Sequence, residues 1–136
     1  MQDKIQFIPE EYLKVVSVPF AALSQTQNWG MALASIQSVW TLTKGEDVVV
    51  AILDTGIDLD HSEFEGKILG AECFTGLCKN GHETINDENR YSHGTHVAGI
   101  AAANLDGIGT TGVAPGADLL IAKTAWNLGA FDFTVV

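Results

Sequence analysis

Two residues of this sequence have the chemistry and the surroundings of a catalytic pair. The first is Asp54, which directly follows the apolar run at residues 48–53 and precedes Thr55 and Gly56. A continuous, β-branched run of this length is typical of a strand buried on both faces of a parallel sheet. Ligands and catalytic groups gather at the carboxyl ends of such strands, but for Asp54 taken alone the sequence favours a cap of the exit turn. The role of Asp54 therefore depends on what lies beside it.

The second residue is His93, in the segment SHGTHVAG at residues 92–99. A polar stretch leads there directly into a run of small residues that predicts a helix, with Ser92 as a candidate N-cap. A histidine in the first turn of such a helix is a competent general base near neutral pH. His96 lies three residues further on, nearly on the same helix face, and we expect it to pack and hydrogen-bond rather than to react.

A metal centre built on Asp54, His93 and His96 is an alternative for the same residues. A catalytic zinc site needs at least three protein ligands in suitable positions. The other histidines, His61 and His82, lie in polar sequence typical of solvated loops. Because this ligand spacing is poor, a metal-dependent hydrolase ranks last among the hypotheses.

The elements that would position these residues alternate between strands and helices. Besides the strand at 48–53, the pattern predicts a shorter strand at 68–74, a helix at 93–103 and a second buried strand at 118–123. Strand, helix and strand in that order indicate an α/β domain with a mainly parallel sheet. Further predictions are a helix at 31–43 that Gly45 closes, loops at 76–91 and 126–130, and the start of a helix at 132–136.

Composition and charge argue against several classes of partner. The 136 residues are enough for about one domain, and 17 acidic against 7 basic residues give a net charge of −10. Nucleic acid and membrane are disfavoured as partners, because binding to phosphate backbones and anionic membranes needs an excess of Lys and Arg over Asp and Glu. No apolar run reaches the ~18 residues that span a bilayer, and the N-terminus shows no secretory signal. We expect a cytoplasmic protein, with secretion as the alternative if an upstream region precedes this sequence.

The chain has two cysteines, Cys73 and Cys78. Two thiols cannot form a disulfide framework or a four-thiolate zinc site. Their spacing allows a local disulfide in an oxidising compartment. Without a secretory signal, the sequence favours two free thiols.

Several motifs together resemble those of the subtilisin-like serine proteases. DTGID at residues 54–58 is similar to the aspartate motif of that family, and HGTHVAG at 93–99 is similar to its histidine motif. GVAP at 112–115, followed by LLIAK at 119–123, resembles the strand that comes next. The resemblance implies a subtilisin-like three-layer αβα fold with a mainly parallel sheet that is incomplete at the C-terminus.

The resemblance also implies a role for each residue of the pair. His93 matches the general base that takes the proton of a serine hydroxyl, and Asp54 matches the carboxylate that orients its ring and stabilises its cation. The family's nucleophile is a serine in a Gly-Thr-Ser context towards the C-terminus, and no such motif occurs here. The serines stand at positions 17, 24, 35, 38, 62 and 92, all before His93.

An endopeptidase of the subtilisin class that hydrolyses peptide bonds with an Asp-His-Ser triad is therefore the leading hypothesis, with its serine on a longer precursor or on a second chain. We expect the 136 residues alone to be inactive, because a triad without its nucleophile loses nearly all catalysis. The alternative is an inactive relative that binds peptides, calcium or a partner. A sheet divided in this way also exposes apolar faces, so we expect the isolated chain to be marginally stable or associated.

A calcium ion is implied by the resemblance as a structural cofactor. NLDGIGT at residues 104–110 is similar to the family's calcium loop, and calcium takes the oxygen ligands that such Gly-rich loops present. Glu63 stands where the family usually has an aspartate. An Asx-type turn at Asp106 is the alternative for this loop. The implied ligands are the side chains of Gln25, Glu63 and Asp106 and the backbone carbonyls of Asn104, Ile108 and Thr110.

Substrate binding is implied for Leu128, Gly129 and Ala130. These residues fall near the family's edge strand, which pairs with an extended polypeptide substrate and so recognises mainly its backbone. The alternative expectation is that this segment is disordered and does not bind substrate.

The N-terminal residues have an expected role in regulation. KIQFIP at residues 4–9 is similar to the N-terminal extension of intracellular subtilisins, which lies across the active site and keeps the protease inactive. We therefore divide the chain into an N-terminal extension at 1–27, with an autoinhibitory role, and the N-terminal part of a peptidase domain at 28–136. An ordinary edge segment is the alternative for residues 1–27.

Overall fold

A three-stranded parallel sheet forms the centre of the structure. The computed structural model describes Gln25, residues 28–75, Cys78, Asp87, residues 92–127 and residues 130–131. The strands are β1 (Val49–Asp54), β2 (Ile68–Cys73) and β3 (Asp118–Lys123), in the spatial order β1-β3-β2. They coincide with the predicted strands to within one residue at each end and confirm the α/β fold class.

The register of the sheet places Asp54, Lys123 and Cys73 at one edge. Asp54 at the end of β1 pairs with Lys123 at the end of β3, and Lys123 pairs with Cys73 at the end of β2. Partners in parallel register point to the same face of a sheet. Asp54, Lys123 and Cys73 therefore share one face at the carboxyl edge.

Two short helices precede the sheet where the sequence predicted one. They are α1 (Trp29–Leu33) and α2 (Ile36–Val39). The prediction of a continuous helix at 31–43 was wrong, because Ser35 lies in the left-handed region with φ of 54° and interrupts it. Asn28 begins α1 by accepting a hydrogen bond from the Gly30 N–H, 2.8 Å.

The predicted central helix forms as α3 (His93–Ala102) and packs on the face of the sheet that carries Asp54. Its buried residues are all small and four positions apart: Gly94, Ala98 and Ala102. They lie against the larger core side chains Ile52, Leu119 and Ile121, each at most 6% exposed. No helix in the described part of the chain is both long and apolar enough to cross a membrane.

The opposite face of the sheet is exposed. Val49, Leu53 and Leu120 point away from α3 and are between 45% and 64% exposed. These side chains alternate along the strands with the buried ones, as a strand with one covered face requires. The apolar run of β1 is thus covered on one side only among the described residues.

A buried lysine closes the far end of α3. Lys67 is 6% exposed, and its Nζ donates hydrogen bonds to the carbonyls of Ala102 and Pro115. Burial lowers the pKa of Lys67 below its ordinary value, and the nearby Asp118 carboxylate acts in the opposite direction. The ammonium thus joins the last turn of α3 to the loop before β3.

A short hairpin follows the sheet, where the sequence predicted a loop at 126–130. Its strands β4 (Ala125–Asn127) and β5 (Ala130–Phe131) are antiparallel, and Asn127 pairs with Ala130. The prediction was wrong because backbone pairing between the two segments defines these strands, and no apolar run in the sequence indicates that pairing. The helix predicted at 132–136, the segment 1–24 and most of the loop at 76–91 lie outside the described residues.

The two cysteines form a disulfide, so the expectation of free thiols is corrected. Cys73 ends β2, and the chain turns back at once, with the Cys78 N–H donating to the Thr75 carbonyl at 3.1 Å. This turn brings the two Cα atoms to 6.1 Å, within the range that a disulfide spans. The bond closes the start of the segment that leads from β2 towards α3.

Candidate active site

Asp54 and His93, 39 positions apart in sequence, meet at the carboxyl edge of the sheet. His93 Nδ1 lies 2.8 Å from Asp54 Oδ1 and 3.0 Å from Asp54 Oδ2. Oδ1 also accepts a hydrogen bond from the Thr55 N–H at 2.7 Å. The aspartate side chain is 17% exposed and the histidine side chain 44% exposed. The carboxylate is therefore largely enclosed, while the imidazole reaches solvent.

This geometry determines what the imidazole can do. A carboxylate accepts hydrogen bonds only, so His93 Nδ1 is the donor and the neutral ring carries its lone pair on Nε2. A base held in this tautomer takes a proton at Nε2, and the carboxylate stabilises the resulting cation. The arrangement suits proton transfer at Nε2.

The start of α3 approaches β1 so closely that only glycine fits at position 94. A Cβ added to Gly94 would overlap the carbonyl oxygen of Gly56 and lie 3.2 Å from the Cβ of Asp54. The Gly94 N–H donates to Thr55 Oγ1 at 3.0 Å. This close contact holds the helix residue next to His93 against the strand residue next to Asp54.

The other described histidines have different surroundings. His96 is exposed on α3, contrary to the expectation that it packs. His61 lies before the 3-10 turn Ser62–Phe64, accepts a hydrogen bond from the Glu63 N–H and contacts the Phe64 ring. Among the residues that the structure describes, no three His, Cys, Asp or Glu side chains converge as a metal site. The metal-dependent hydrolase thus gains no support, and His82 lies outside the described residues.

Several of the expected calcium ligands converge between the 3-10 turn and the loop after α3. Gln25 Nε2 lies 2.6 Å from the Asn104 carbonyl oxygen and 2.8 Å from that of Thr110. Glu63 Oε1 accepts a hydrogen bond from the Thr110 N–H at 2.9 Å, and Glu63 Oε2 is buried with no hydrogen-bond partner. The Gln25 amide thus donates from Nε2 to both carbonyls, and its Oε1 accepts a hydrogen bond from the Gly107 N–H at 3.2 Å.

The remaining expected ligands are placed less favourably. Asp106 Oδ1 accepts a hydrogen bond from the Ile108 N–H at 3.0 Å, which is the Asx-type turn considered as the alternative. Glu63 Oε2 and the Asn104 and Thr110 carbonyls are oxygens of the kind that a hard cation such as calcium prefers. The residues fit calcium only in part, because the Gln25 amide turns Nε2 and not Oε1 towards the two carbonyls.

Comparison with known proteins agrees with the geometry of the site. The model of the Subtilase family matches residues 45–134, a span that contains both Asp54 and His93. The chain belongs to the subtilase family. The resemblance of the motifs and the expected class of fold are thereby confirmed.

Three curated subtilase relatives show how much of a whole protein the chain represents. It is 41% identical over 88% of its length to "Intracellular serine protease" of Paenibacillus polymyxa, and covers 38% of that protein. It is 41% identical over 69% of its length to "Major intracellular serine protease" of Bacillus subtilis (strain 168), covering 29% of it. It is 34% identical over 93% of its length to "Calcium-dependent protease" of Trichormus variabilis, covering 18% of it. The chain thus spans less than two-fifths of these relatives.

The residues expected to bind substrate in this subtilase are described only in part. Ala130 begins β5 and pairs with Asn127 of β4, whereas Leu128 and Gly129 lie outside the described residues. A pocket of about 360 Å³ lies beside α3, lined in part by Met31, Phe64 and Ile100, but neither Asp54 nor His93 lines it. The Asp54–His93 pair therefore stands at an open edge and not in this pocket.

Sequence reasoning missed Asp87, which is 7% exposed and joins the two motifs of this subtilase. It also proposed Ser92 as the N-cap of α3, but the Ser92 side chain does not cap the helix. Instead, Asp87 Oδ2 accepts the Thr95 N–H at 3.0 Å. Asp87 stands six residues before His93 in a polar segment rich in Asp, Glu and Asn. Nothing in that local pattern distinguishes it from its neighbours.

Proposed function

We propose that Asp54 and His93 are the orienting carboxylate and the general base of a serine endopeptidase of the subtilisin class, which hydrolyses peptide bonds of polypeptide substrates. The observation that carries the proposal is the hydrogen bond of 2.8 Å between His93 Nδ1 and Asp54 Oδ1. It leaves Nε2 to take the proton of a serine hydroxyl and return it to the leaving amine. The relatives named as serine proteases support the same reaction.

The nucleophilic serine, in this proposal, comes from polypeptide outside the 136 residues, on a longer precursor or on a second chain. All serines of the sequence precede His93. The adjacent Ser92 directs its hydroxyl to the Asp87 carbonyl, 3.4 Å away, and not to the imidazole. The 136 residues then supply the base and its orienting group, and they are inactive without the serine-bearing partner segment.

Fluorophosphonate labelling tests where the serine lies. We expect the purified 136-residue chain neither to take the label nor to cleave casein. Material isolated from the natural source should contain a covalently continuous or co-purifying segment that takes the label, with its mass given by intact mass spectrometry. Labelling and casein cleavage by the 136-residue chain alone would overturn this location of the nucleophile. If no preparation contains a segment that takes the label, the result favours the alternative, a module that binds peptides, calcium or a partner.

A matched pair of histidine variants tests the base. In the serine-bearing assembly, His93→Gln should lower kcat/KM by about 10⁴-fold or more, as removal of a triad member does. His96→Gln, one turn further along α3 and exposed, should change kcat/KM by less than about threefold. Equal effects of the two substitutions would contradict the role of His93.

The proposal includes a structural calcium ion held by Gln25, Glu63, Asn104 and Thr110, with Asp106 and Ile108 completing the ligand set. The unsatisfied buried oxygen of Glu63 and the convergence of the Asn104 and Thr110 carbonyls support it. When bound, the ion would neutralise the Glu63 carboxylate and tie Gln25 to the loop after α3. A relative named "Calcium-dependent protease" adds support.

Thermal unfolding of the 136-residue chain tests the calcium site. At a free calcium concentration of 100 times Kd, the folded state should gain about 2.7 kcal/mol. Glu63→Gln should remove that gain, whereas Glu65→Gln, an exposed acid two residues away, should retain it. Stabilisation that is equal in the two variants, or equal with Mg²⁺, would argue against a specific site.

One N-terminal segment and one C-terminal segment complete the proposed protease. Residues 1–27 act as an autoinhibitory extension, and the edge strand near Leu128, Gly129 and Ala130 pairs with the substrate backbone. Deleting residues 1–20, which leaves Gln25 in place, should raise the activity of the serine-bearing assembly. Unchanged activity after this deletion would contradict an inhibitory role.

We also propose that the protein works in the cytoplasm, since two relatives are named as intracellular proteases. The Cys73–Cys78 disulfide bears on this proposal, because cytosolic thiols are normally kept reduced. Alkylation in intact cells followed by mass spectrometry should find both thiols free if the compartment reduces them. A fully oxidised pair in cells would favour secretion, the alternative.

A further inference from the structure

A single buried carboxylate joins the two segments that carry the catalytic pair. Asp87 Oδ1 accepts a hydrogen bond from Thr55 Oγ1 at 2.9 Å, on the strand side. Asp87 Oδ2 accepts two hydrogen bonds from Thr95, one from its N–H and one from its Oγ1, each 3.0 Å long, on the helix side. Both carboxylate oxygens are thus used, one for each segment.

The hydrogen bonds continue from the two threonines to the residues around the pair. Thr55 Oγ1 also accepts the Gly94 N–H at 3.0 Å. Thr95 Oγ1 accepts the Asp58 N–H at 2.9 Å. Thr55 directly follows Asp54, and Gly94 directly follows His93. Asp87 therefore touches neither catalytic residue but is bonded, through one threonine, to the chain neighbours of both.

The charge of Asp87 suits this location. The first N–H groups of a helix have no partner within the helix, and its N-terminus favours a negative charge. The Asp87 carboxylate satisfies the Thr95 N–H in the first turn of α3, and its own N–H donates to the Ile57 carbonyl at 3.2 Å. Hydrogen bonds to an ionised carboxylate are roughly twice as strong as those between neutral groups. Asp87 is thus a charged tie between the first turn of α3 and the loop after β1, beside the direct hydrogen bonds of Gly94 and Thr95 to that loop.

We infer that Asp87 is a positioning residue for the Asp54–His93 pair. Its carboxylate fixes the distance between the first turn of α3 and the end of β1, and so keeps His93 Nδ1 within hydrogen-bond distance of Asp54. Without that carboxylate, the Thr55 hydroxyl and the Thr95 N–H and hydroxyl lose their common acceptor in a buried place. The inference rests on the proposed function for its catalytic meaning, but not for its structural content.

Nuclear magnetic resonance of the 136-residue chain labelled with ¹⁵N tests the inference without any peptidase assay. The measurements are the ratio of Nδ1–H to Nε2–H tautomer at His93 and the hydrogen exchange of the Gly94 and Thr95 amides. In Asp87→Asn, one acceptor oxygen becomes an NH₂ donor facing other donors. We expect the tautomer ratio to fall by about threefold or more and the two amides to exchange about tenfold faster.

Asp60→Asn is the matched control, because it removes the same charge from an exposed site in the loop after β1. It should leave both measurements unchanged. If Asp87→Asn does not fold, Thr95→Val carries the same expectation, and Thr95→Ser, which restores the hydroxyl, should restore the wild-type values. An unaltered His93 tautomer ratio in a folded Asp87→Asn or Thr95→Val chain would overturn the inference.

The result is separable from the fate of the proposed function. If the chain never takes part in peptide hydrolysis, the tautomer ratio and amide exchange still report whether Asp87 positions the pair. If it does, Asp87→Asn in the serine-bearing assembly should lower kcat by about tenfold or more with KM nearly unchanged. An equal loss in kcat for Asp60→Asn would contradict this expectation.

Discussion

The two faces of the central sheet differ sharply, although the same three strands build both. On the face towards α3, Leu119 is fully buried and Ile121 is 3% exposed. On the other face, Leu120 is 45% exposed and Leu53 is 64% exposed. Leu120 stands between the two buried residues in sequence, so hydrophobicity alone does not decide burial. What decides it is which face α3 covers.

The difference between the two faces also shows on which side of the sheet the proposed catalytic pair lies. Asp54 belongs to the covered face, where α3 brings His93 to it, and the polar ties of Asp87 lie at the same end. The covered face therefore holds both residues of the proposed catalytic pair. The exposed face is the part of the sheet through which the isolated chain should associate.

The largest expected effect comes from truncating the covered face. Leu119→Ala should lower the free energy of unfolding by about 3 kcal/mol, because it removes a buried side chain and leaves a cavity. Leu120→Ala, the adjacent residue on the exposed face, should cost less than about 1 kcal/mol. Urea unfolding of both variants measures the difference. Similar losses for the two leucines would mean that the second face is also covered in solution.

The second effect concerns the contact between α3 and β1. Gly94→Ala should cost about 2 to 3 kcal/mol, because its Cβ overlaps the Gly56 carbonyl and forces the helix away from the strand. Gly99→Ala, on the same helix with nothing within 4 Å of the added Cβ, should instead stabilise the chain by up to about 1 kcal/mol. Thermal unfolding distinguishes the two signs. A stabilising Gly94→Ala would contradict the close approach of α3.

The third effect is a pH dependence from Lys67. Lys67→Met should cost about 1 to 2 kcal/mol near neutral pH, because the Ala102 and Pro115 carbonyls lose their donor. Burial lowers the pKa of Lys67 in the folded state, so the unfolded chain binds more protons between that pKa and the ordinary value of 10.5. Wild-type stability should therefore rise relative to Lys67→Met as the pH increases through that window.

Urea unfolding at a series of pH values measures this third difference, with Lys44→Met as the control for removing a lysine charge. The increment should appear when wild type is compared with Lys67→Met. A stability difference between wild type and Lys67→Met that is constant up to pH 10.5 would show that burial does not perturb the lysine.

The smallest effect on stability concerns the exposed face itself. Leu53→Lys should leave the free energy of unfolding within about 0.5 kcal/mol of wild type. It should nevertheless weaken self-association several-fold, as measured by sedimentation velocity, because it places a charge on the exposed apolar face of the sheet. Leu42→Lys, 86% exposed and outside the sheet, should not change association. Association that survives Leu53→Lys would place the contact surface elsewhere.

The sequence predicted those parts of the fold that rest on local patterns. The continuous apolar runs located β1 and β3, and the small residues after His93 located α3 to within one residue. The pairing of Asp54 with His93 was implied by the resemblance of their motifs to those of the subtilisin-like serine proteases. Each of these inferences needs only a period, a run length or a motif.

The parts that the sequence did not predict depend on contacts between distant segments. Asp87 accepts a hydrogen bond from Thr55, which lies 32 positions away in sequence. The interruption at Ser35 and the hairpin of β4 and β5 likewise depend on where the backbone must turn. Polar groups of this kind have no periodicity, so their partners are set by the assembled fold and not by their neighbours in sequence.

The small buried residues of α3, Gly94, Ala98 and Ala102, influence where the helix holds the His93 imidazole. A helix of ten residues is about 15 Å long. If the helix pivoted at Ala102 by as little as ~5°, its first turn would move by roughly 1 Å over that length. Such a displacement is comparable with the tolerance of a hydrogen bond. The position of His93 relative to Asp54 therefore depends in part on the methyl group of Ala102, at the other end of the helix, where no proton is transferred.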